Sequence, residues 1–217
     1  MGKLSAGLLH EIKDQTGLVR GLTKWNRVAE SPSDIAPSFG QAFRELLSGR
    51  PRPVGLEVAH DFLSAQLPGP APQGPADVSP PAAEPADPKL LHQAARMIDA
   101  ARMPVLYVGG GIFPAEATKA LRAFAERIGA PVVMSDNGRG ALDDHHPLAM
   151  NPLAGPAVFQ HADLVLVIGT RFIDALTPTP SWPAGKARFI HINLDPADLG
   201  APRAAEIAIK ADAPNAL

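Results

Sequence analysis

The chain has 217 residues, 46% of them hydrophobic, with 20 basic and 22 acidic side chains and a formal net charge of −2. That length suits one domain, or one domain and part of a second, and the charge lacks the clustered positive stripe of a nucleic-acid surface. Cysteine is absent, which excludes disulfides, thiolate nucleophiles and cysteine-ligated zinc or iron–sulfur centres.

No apolar run approaches the roughly 20 residues needed to span a bilayer. The start, Met1-Gly2-Lys3-Leu4-Ser5-Ala6, carries neither a signal peptide nor a myristoylation pattern. The expectation is a soluble, cytoplasmic protein.

In chain order, Ile35, Phe39, Ala42, Phe43, Leu46 and Leu47 recur at helical spacing over Asp34–Leu47, with Pro37 early enough for the first turn. Ser48-Gly49 stops this helix. Arg50-Pro51-Arg52-Pro53 reads as a solvated turn into a strand at Val54–Val58. One helix with one or two strands does not close a core, so this segment reads as the remainder of a larger sheet.

From Pro68 to Pro88 there are eight prolines in 21 residues, and Val78 is the only large apolar residue between Leu67 and Leu90. Such a stretch runs extended and builds no core. The chain therefore divides into a segment 1–66, a linker 67–88 and a domain 89–217.

In that domain, Leu91, Ala94, Ala95, Ile98 and Ala101 give a helix over Lys89–Ala101, and Pro104 leads into the apolar run Val105–Val108. A second helix is expected over Ala115–Ile128 with Gly129 as its stop, followed by the run Pro131–Met134. A looser stretch leads to Ala157–His161. Then come the runs Leu164–Ile168 and Phe189–Ile192 and a weaker one at Glu206–Ile209. Continuous rather than alternating runs, separated by helices, are strands covered on both faces. The fold class is α/β, a three-layer αβα domain around a parallel sheet.

In open parallel sheets, ligands bind beyond the carboxyl ends of the strands. Those ends read Gly109-Gly110-Gly111, Met134-Ser135-Asp136, Gly169-Thr170-Arg171-Phe172 and Asn193-Leu194-Asp195-Pro196. Glycines permit close approach of a phosphate, aspartate accepts ribose hydroxyls and Arg171 can pair with a phosphate. Equally, glycines follow strands because turns need them, and both readings stay open. An ordinary NAD dehydrogenase is disfavoured, since Pro114 stands where the third fingerprint glycine belongs. Asp143-Asp144-His145-His146 has metal-ligand residue types, but four adjacent ligands rarely converge on one ion, and no metal is expected there.

Several stretches in order resemble the acetolactate synthase-like branch of the thiamine-diphosphate (ThDP) enzymes. They are Leu8-Leu9-His10-Glu11-Ile12, Leu22-Thr23-Lys24-Trp25, Ser48 to Val54 with Leu56-Glu57 and Asp61, Gly109-Gly110-Gly111, Gly129-Ala130-Pro131-Val132-Val133, Gly138-Arg139-Gly140-Ala141-Leu142 with His146-Pro147, Gly169-Thr170-Arg171-Phe172, and His191 to Pro196. The resemblance implies that 1–66 is the end of a pyrimidine-binding domain and 89–217 a Rossmann-like central domain. It also implies a parent that is a transferase or lyase acting on a 2-keto acid with ThDP and Mg²⁺, and that works as a homo-oligomer. The family's activating glutamate and its Gly-Asp-Gly…Asn magnesium motif are not in this sequence. These 217 residues alone are expected neither to bind ThDP well nor to catalyse.

By the same resemblance, His10 and Glu11 stand where relatives carry a pair facing the active centre, with His10 either shuttling protons and shaping the acceptor site or merely capping or packing a loop, and Lys24 and Trp25 line a substrate channel or simply pack. Gly109, Gly110, Gly111, Ser135, Gly169, Arg171, Asp195 and Asp212 would contact an FAD held for structural reasons, or ADP. The pattern departs from flavin-binding relatives at Asn151-Pro152-Leu153-Ala154-Gly155 and at Ile173-Asp174-Ala175. FAD, ADP and an empty pocket remain alternatives. So does a stand-alone nucleotide-binding or purely structural domain.

Overall fold

The computed structural model describes residues 12–67, 69, 78–79, 85–114, 116–171, 187–200 and 203–217. The chain divides into two compact units, Met1–Ala82 and Ala83–Leu217. Most of the proline-rich stretch lies outside the described residues.

In the first unit, α1 (Gln15–Arg20) precedes a βαβ element made of β1 (Trp25–Val28), α2 (Ile35–Leu47) and β2 (Val54–Glu57). The two strands pair in parallel, Trp25 opposite Val54 and Val28 opposite Glu57. Asp14 caps α1 by accepting the Gly17 amide at 2.7 Å, and α2 carries Pro37 in its first turn as expected. Arg27 on β1 holds Asp34, ahead of α2, with its Nη2 3.1 Å from Oδ1. Only Ala29 and Ala42 are buried among this unit's described hydrophobic residues. A two-stranded sheet with α1 and α2 against it encloses very little.

The second unit is the larger core. It contains α3 (Pro88–Ala100), β3 (Pro104–Val108), α4 (Thr118–Ile128), β4 (Val132–Met134), β5 (Ala149–Met150), α5 (Gly155–Phe159), β6 (Leu164–Ile168), β7 (Arg188–Asn193) and β8 (Ile207–Lys210). Asp87 starts α3, its carboxylate accepting the Lys89 amide at 2.8 Å with Pro88 in the first helical position. Gly129 stops α4 at φ +63°. That helix begins at Thr118 rather than Ala115, because Glu116 sits at φ +51°, a conformation no helix interior tolerates.

The sheet order is β5-β4-β3-β6-β7-β8, and every pairing is parallel. The chain runs outward from β3 to β5, then returns to pair β6 on the other side of β3. The strand order therefore reverses between β3 and β6, the place where open α/β sheets gather ligand-facing loops.

Both faces are covered. Leu106, Val108, Val132, Met134, Leu166, Ile168, Ile190, Ile192 and Ile209 pack under α3 and α4 with Leu121 and Ala125. Val105, Tyr107, Val133, Val165, Val167 and Phe189 face the other way, against Phe159 of α5. Tyr107 and Phe159 meet edge to face at 5.8 Å. Each fully buried aliphatic side chain contributes about 1.5–3 kcal/mol. This is the three-layer parallel architecture that the runs imply. Among the described residues no helix is long and apolar enough to cross a membrane.

Candidate functional site

The carboxyl edge of the second unit's sheet is held by main-chain bonds that continue the ladder beyond the strands. Ser135 donates to Val108 at 2.9 Å, Gly109 to Ile168 at 2.9 Å, Gly169 to Ile192 at 3.0 Å and Ala211 to Asn193 at 3.2 Å. Gly111 adds a bond to the Gly169 carbonyl at 3.0 Å. Gly109, Gly111, Ser135 and Gly169 thus lie in one interlocked row, with Asp195 and Asp212 following the ends of β7 and β8.

The glycines are needed for that interlock. A Cβ on Gly109 would fall on the Gly169 carbonyl and Thr170, and one on Gly138 on the Val108 carbonyl, closer than real Cβ contacts occur. On Gly111 it would lie 2.9 Å from the Gly169 main chain, and on Gly110 3.0 Å from the Asn137 carbonyl. Gly169 adds a left-handed φ of +60°. A phosphate-gripping loop needs amides that point at the ligand. Here the Gly109 and Gly111 amides already bond to the β6 loop, and the neighbouring backbone fills the space beside them. Those two amides are therefore already engaged within the protein.

Two polar residues of the expected set, Ser135 and Asp195, are engaged locally. Ser135 Oγ accepts the Gly138 amide at 3.2 Å. Asp195 caps the turn Pro196–Asp198, accepting the Ala197 amide at 3.0 Å. Asp212 precedes the turn Ala213–Asn215 without capping it through its side chain, and Arg171 is exposed. His10, Glu11 and the Ile173-Asp174-Ala175 departure lie outside the described residues.

Two side chains outside the expected site set, His191 and Asn193, converge here. His191, fully buried on β7, bonds through Nε2 to the Thr170 carbonyl at 3.0 Å and accepts the Gly200 amide on Nδ1 at 3.2 Å. The Asn193 Nδ2 group donates to the same Thr170 carbonyl at 3.3 Å, and its Oδ1 accepts the Asp195 amide at 3.1 Å. Burial pushes the imidazole below its ordinary pKa, against smaller upward pulls from the Thr170 carbonyl and Asp198. The polar residues inside the apolar run Phe189–Asn193 were the available signal.

The acidic–histidine loop 143–146 diverges. His145 turns to Asp143 at 3.1 Å, while His146 bonds Glu126 at 3.1 Å through Nε2 and accepts the Leu148 amide on Nδ1. Arg122 holds the Glu126 carboxyl below its usual range, with His146 helping. Among the described residues no group of three or more His, Asp or Glu side chains is placed to hold a metal ion. A cavity of about 400 Å³ lies beside the Ser135 loop, lined by Met134, Arg139, Asp144, Ala149 and Asn151. The Asn151 carboxamide caps the turn Pro152–Ala154 that leads into α5. In the first unit, Lys24 Nζ binds the Ser48 carbonyl, with Ser48 Oγ at 3.0 Å and the Arg50 carbonyl at 3.3 Å, at the carboxyl end of α2. Trp25 is half-buried.

The family model for the thiamine pyrophosphate enzyme central domain matches residues 91–217. The chain is 34% identical to the acetolactate synthase large subunit of Corynebacterium glutamicum and 35% to an acetolactate synthase of Mycobacterium bovis, over 98% and 97% of its length. It spans 36% of each of those proteins. Its fold superposes on a solved structure from Mycobacterium smegmatis, described as a thiamin diphosphate-dependent enzyme, with a TM-score of 0.76 and 27% identity. That match covers 94% of this chain and 40% of the other. A 4-hydroxybenzoylformate decarboxylase of Rhodococcus jostii shares the fold at TM-score 0.76 and 24% identity, over 96% of this chain and 40% of that one. The chain belongs to the thiamine pyrophosphate enzyme family, and its second unit carries that family's central domain.

Proposed function

We propose that the chain supplies the end of a pyrimidine-binding domain (1–66), a linker (67–88) and a structural central domain (89–217) to a ThDP-dependent carboligase or decarboxylase acting on 2-keto acids. In this reading the parent is a cytoplasmic transferase or lyase that assembles with itself. His10 and Glu11 stand near its reaction centre, and its ThDP and Mg²⁺ are held by residues outside those described. When bound, ThDP supplies the carbanion chemistry that decarboxylates a keto acid. The central domain's own contribution is a rigid platform.

The observation that supports this reading is the glycine interlock. Gly109, Gly110, Gly111 and Gly169 are explained by backbone packing alone, which favours a structural role over FAD or ADP binding at that edge.

Calorimetry and an absorbance scan of the purified chain test it. The expected results are a colourless protein, no stabilisation by ADP and no micromolar binding of ThDP with Mg²⁺. Flavin bands in the visible spectrum would restore the FAD contacts at Ser135, Arg171, Asp195 and Asp212. A rise in melting temperature with ADP would favour a self-sufficient nucleotide-binding module.

A further inference from the structure

We infer that His191 is a positioning residue, a neutral imidazole that clips the loop after β6 to the loop after β7 and opens when it gains a proton. The geometry defines the clip. The β6 loop enters through the Thr170 carbonyl, an acceptor, so the nitrogen facing it at 3.0 Å carries the proton. The β7 loop enters through the Gly200 amide, a donor, so the nitrogen facing it at 3.2 Å carries the lone pair. One imidazole tautomer, protonated on Nε2, satisfies both. No rotation of the ring and no second tautomer does so with these partners fixed.

The two contacts are not equally replaceable. The Thr170 carbonyl has a second donor in Asn193 Nδ2, so that anchor survives the loss of the histidine. A proton added to Nδ1 sets donor against donor at Gly200. The β7 loop is therefore the part that lets go, at a residue whose φ of +75° already sets the turn.

The surroundings favour the neutral form. His191 is fully buried. Its register partners are Val167 on β6 and Ala208 on β8, and neither carries charge. On its own strand the neighbouring side chains that share its face are Phe189 and Asn193. Among the described residues, Asp198 on the turn before Gly200 is the carboxylate that acts on it, and it favours the proton less than burial opposes it. The pH dependence therefore has a definite sign. The clip is whole at neutral pH and is lost as pH falls below the ordinary imidazole value of about 6.5, toward the lowered value inside the protein.

The experiment uses the full chain, with nitrogen-labelled histidine for NMR and with amide hydrogen exchange. At neutral pH the His191 signals should show Nε2 protonated and Nδ1 bare. Gly200 amide protection, corrected for intrinsic exchange, should drop roughly fivefold to tenfold on acidification, the share of one hydrogen bond, while the Gly109 and Ser135 amides hold. The substitution His191→Gln keeps a donor toward Thr170 but removes the acceptor for Gly200, so its Gly200 amide should be unprotected at every pH. His191→Asn keeps that acceptor and should retain protection without the pH dependence. An Nδ1-protonated tautomer, or Gly200 protection that is the same in wild type at pH 7 and pH 5, overturns the inference. If a variant does not fold, the tautomer and the wild-type pH series decide the matter.

Discussion

Gly111 and Gly169 meet main chain to main chain. The Gly111 amide donates to the Gly169 carbonyl at 3.0 Å, and a Cβ on Gly169 would lie 3.0 Å from Gly111 Cα. The contact locks the loops on either side of the point where the strand order reverses.

The first prediction concerns that lock. Gly111→Ala and Gly169→Ala should each destabilise the second unit by about 1–3 kcal/mol, because a methyl group must be forced between packed backbones. Gly169→Ala should be the worse of the two, since its φ of +60° adds strain. Gly129→Ala is the control. It shares the left-handed conformation but has nothing within 4 Å of the new Cβ, so it should cost about 1 kcal/mol. Urea midpoints with an unchanged slope measure all three.

A second prediction rests on Asp163. Its carboxylate accepts the Arg102 amide at 2.8 Å and the Met103 amide at 3.0 Å, tying the start of β6 to the turn before β3. The Arg102 amide is the largest cause of a carboxyl pKa below the usual range, with Met103 adding to it. A lowered folded value means that the stabilisation is present in full above the ordinary carboxylate range. It disappears as pH falls through the lowered value. Asp163→Asn sets its NH₂ group against one of the two donors and should cost about 1–2 kcal/mol near neutrality. The difference from wild type should vanish in a urea series taken to acid pH.

Third, Lys24→Met should loosen the end of α2. The ammonium satisfies carbonyls at a helix carboxyl terminus, where a cation contributes about 0.3–1 kcal/mol. Faster amide exchange at Ser48, whose N–H donates to Arg44, would report the loss while α1 stays unchanged.

Fourth, the bidentate pair of Arg188 and Glu206, with bonds of 2.5 and 2.6 Å, should matter little. Both side chains are about half exposed, and water competes with such pairs. Glu206→Gln should leave the urea midpoint unchanged within error at physiological salt.

The strands buried on both faces were the legible part of this fold. Val105–Val108, Leu164–Ile168 and Phe189–Ile192 read as continuous apolar runs because both faces are covered by the helices and loops packed on them. β5 escaped notice because it is a two-residue edge strand, Ala149–Met150, between Pro147 and Pro152. β1 escaped because Trp-Asn-Arg-Val has no apolar run. Glu116 concealed the true start of α4, since a backbone of positive φ leaves no mark in an acidic residue. The carboxyl edge was located correctly, but its glycines have a role beyond the two considered, for close backbone approach between distant loops cannot be read from local sequence. His191 stood in a quoted stretch, but its role was not legible for a related reason: its partners are a main-chain carbonyl and a main-chain amide, which carry no sequence signature.

The wholly parallel sheet also determines how the second unit must assemble. No neighbouring strands can be joined by a tight turn, and the contact between Met103 and Asp163 at the base of the central pair spans 60 positions. Long loops must close before any central pairing forms, so folding should be slow for a chain of this size. Newly made chains would expose bare strand edges while they wait, and a high expression rate should drive them into aggregates sooner than a modest one.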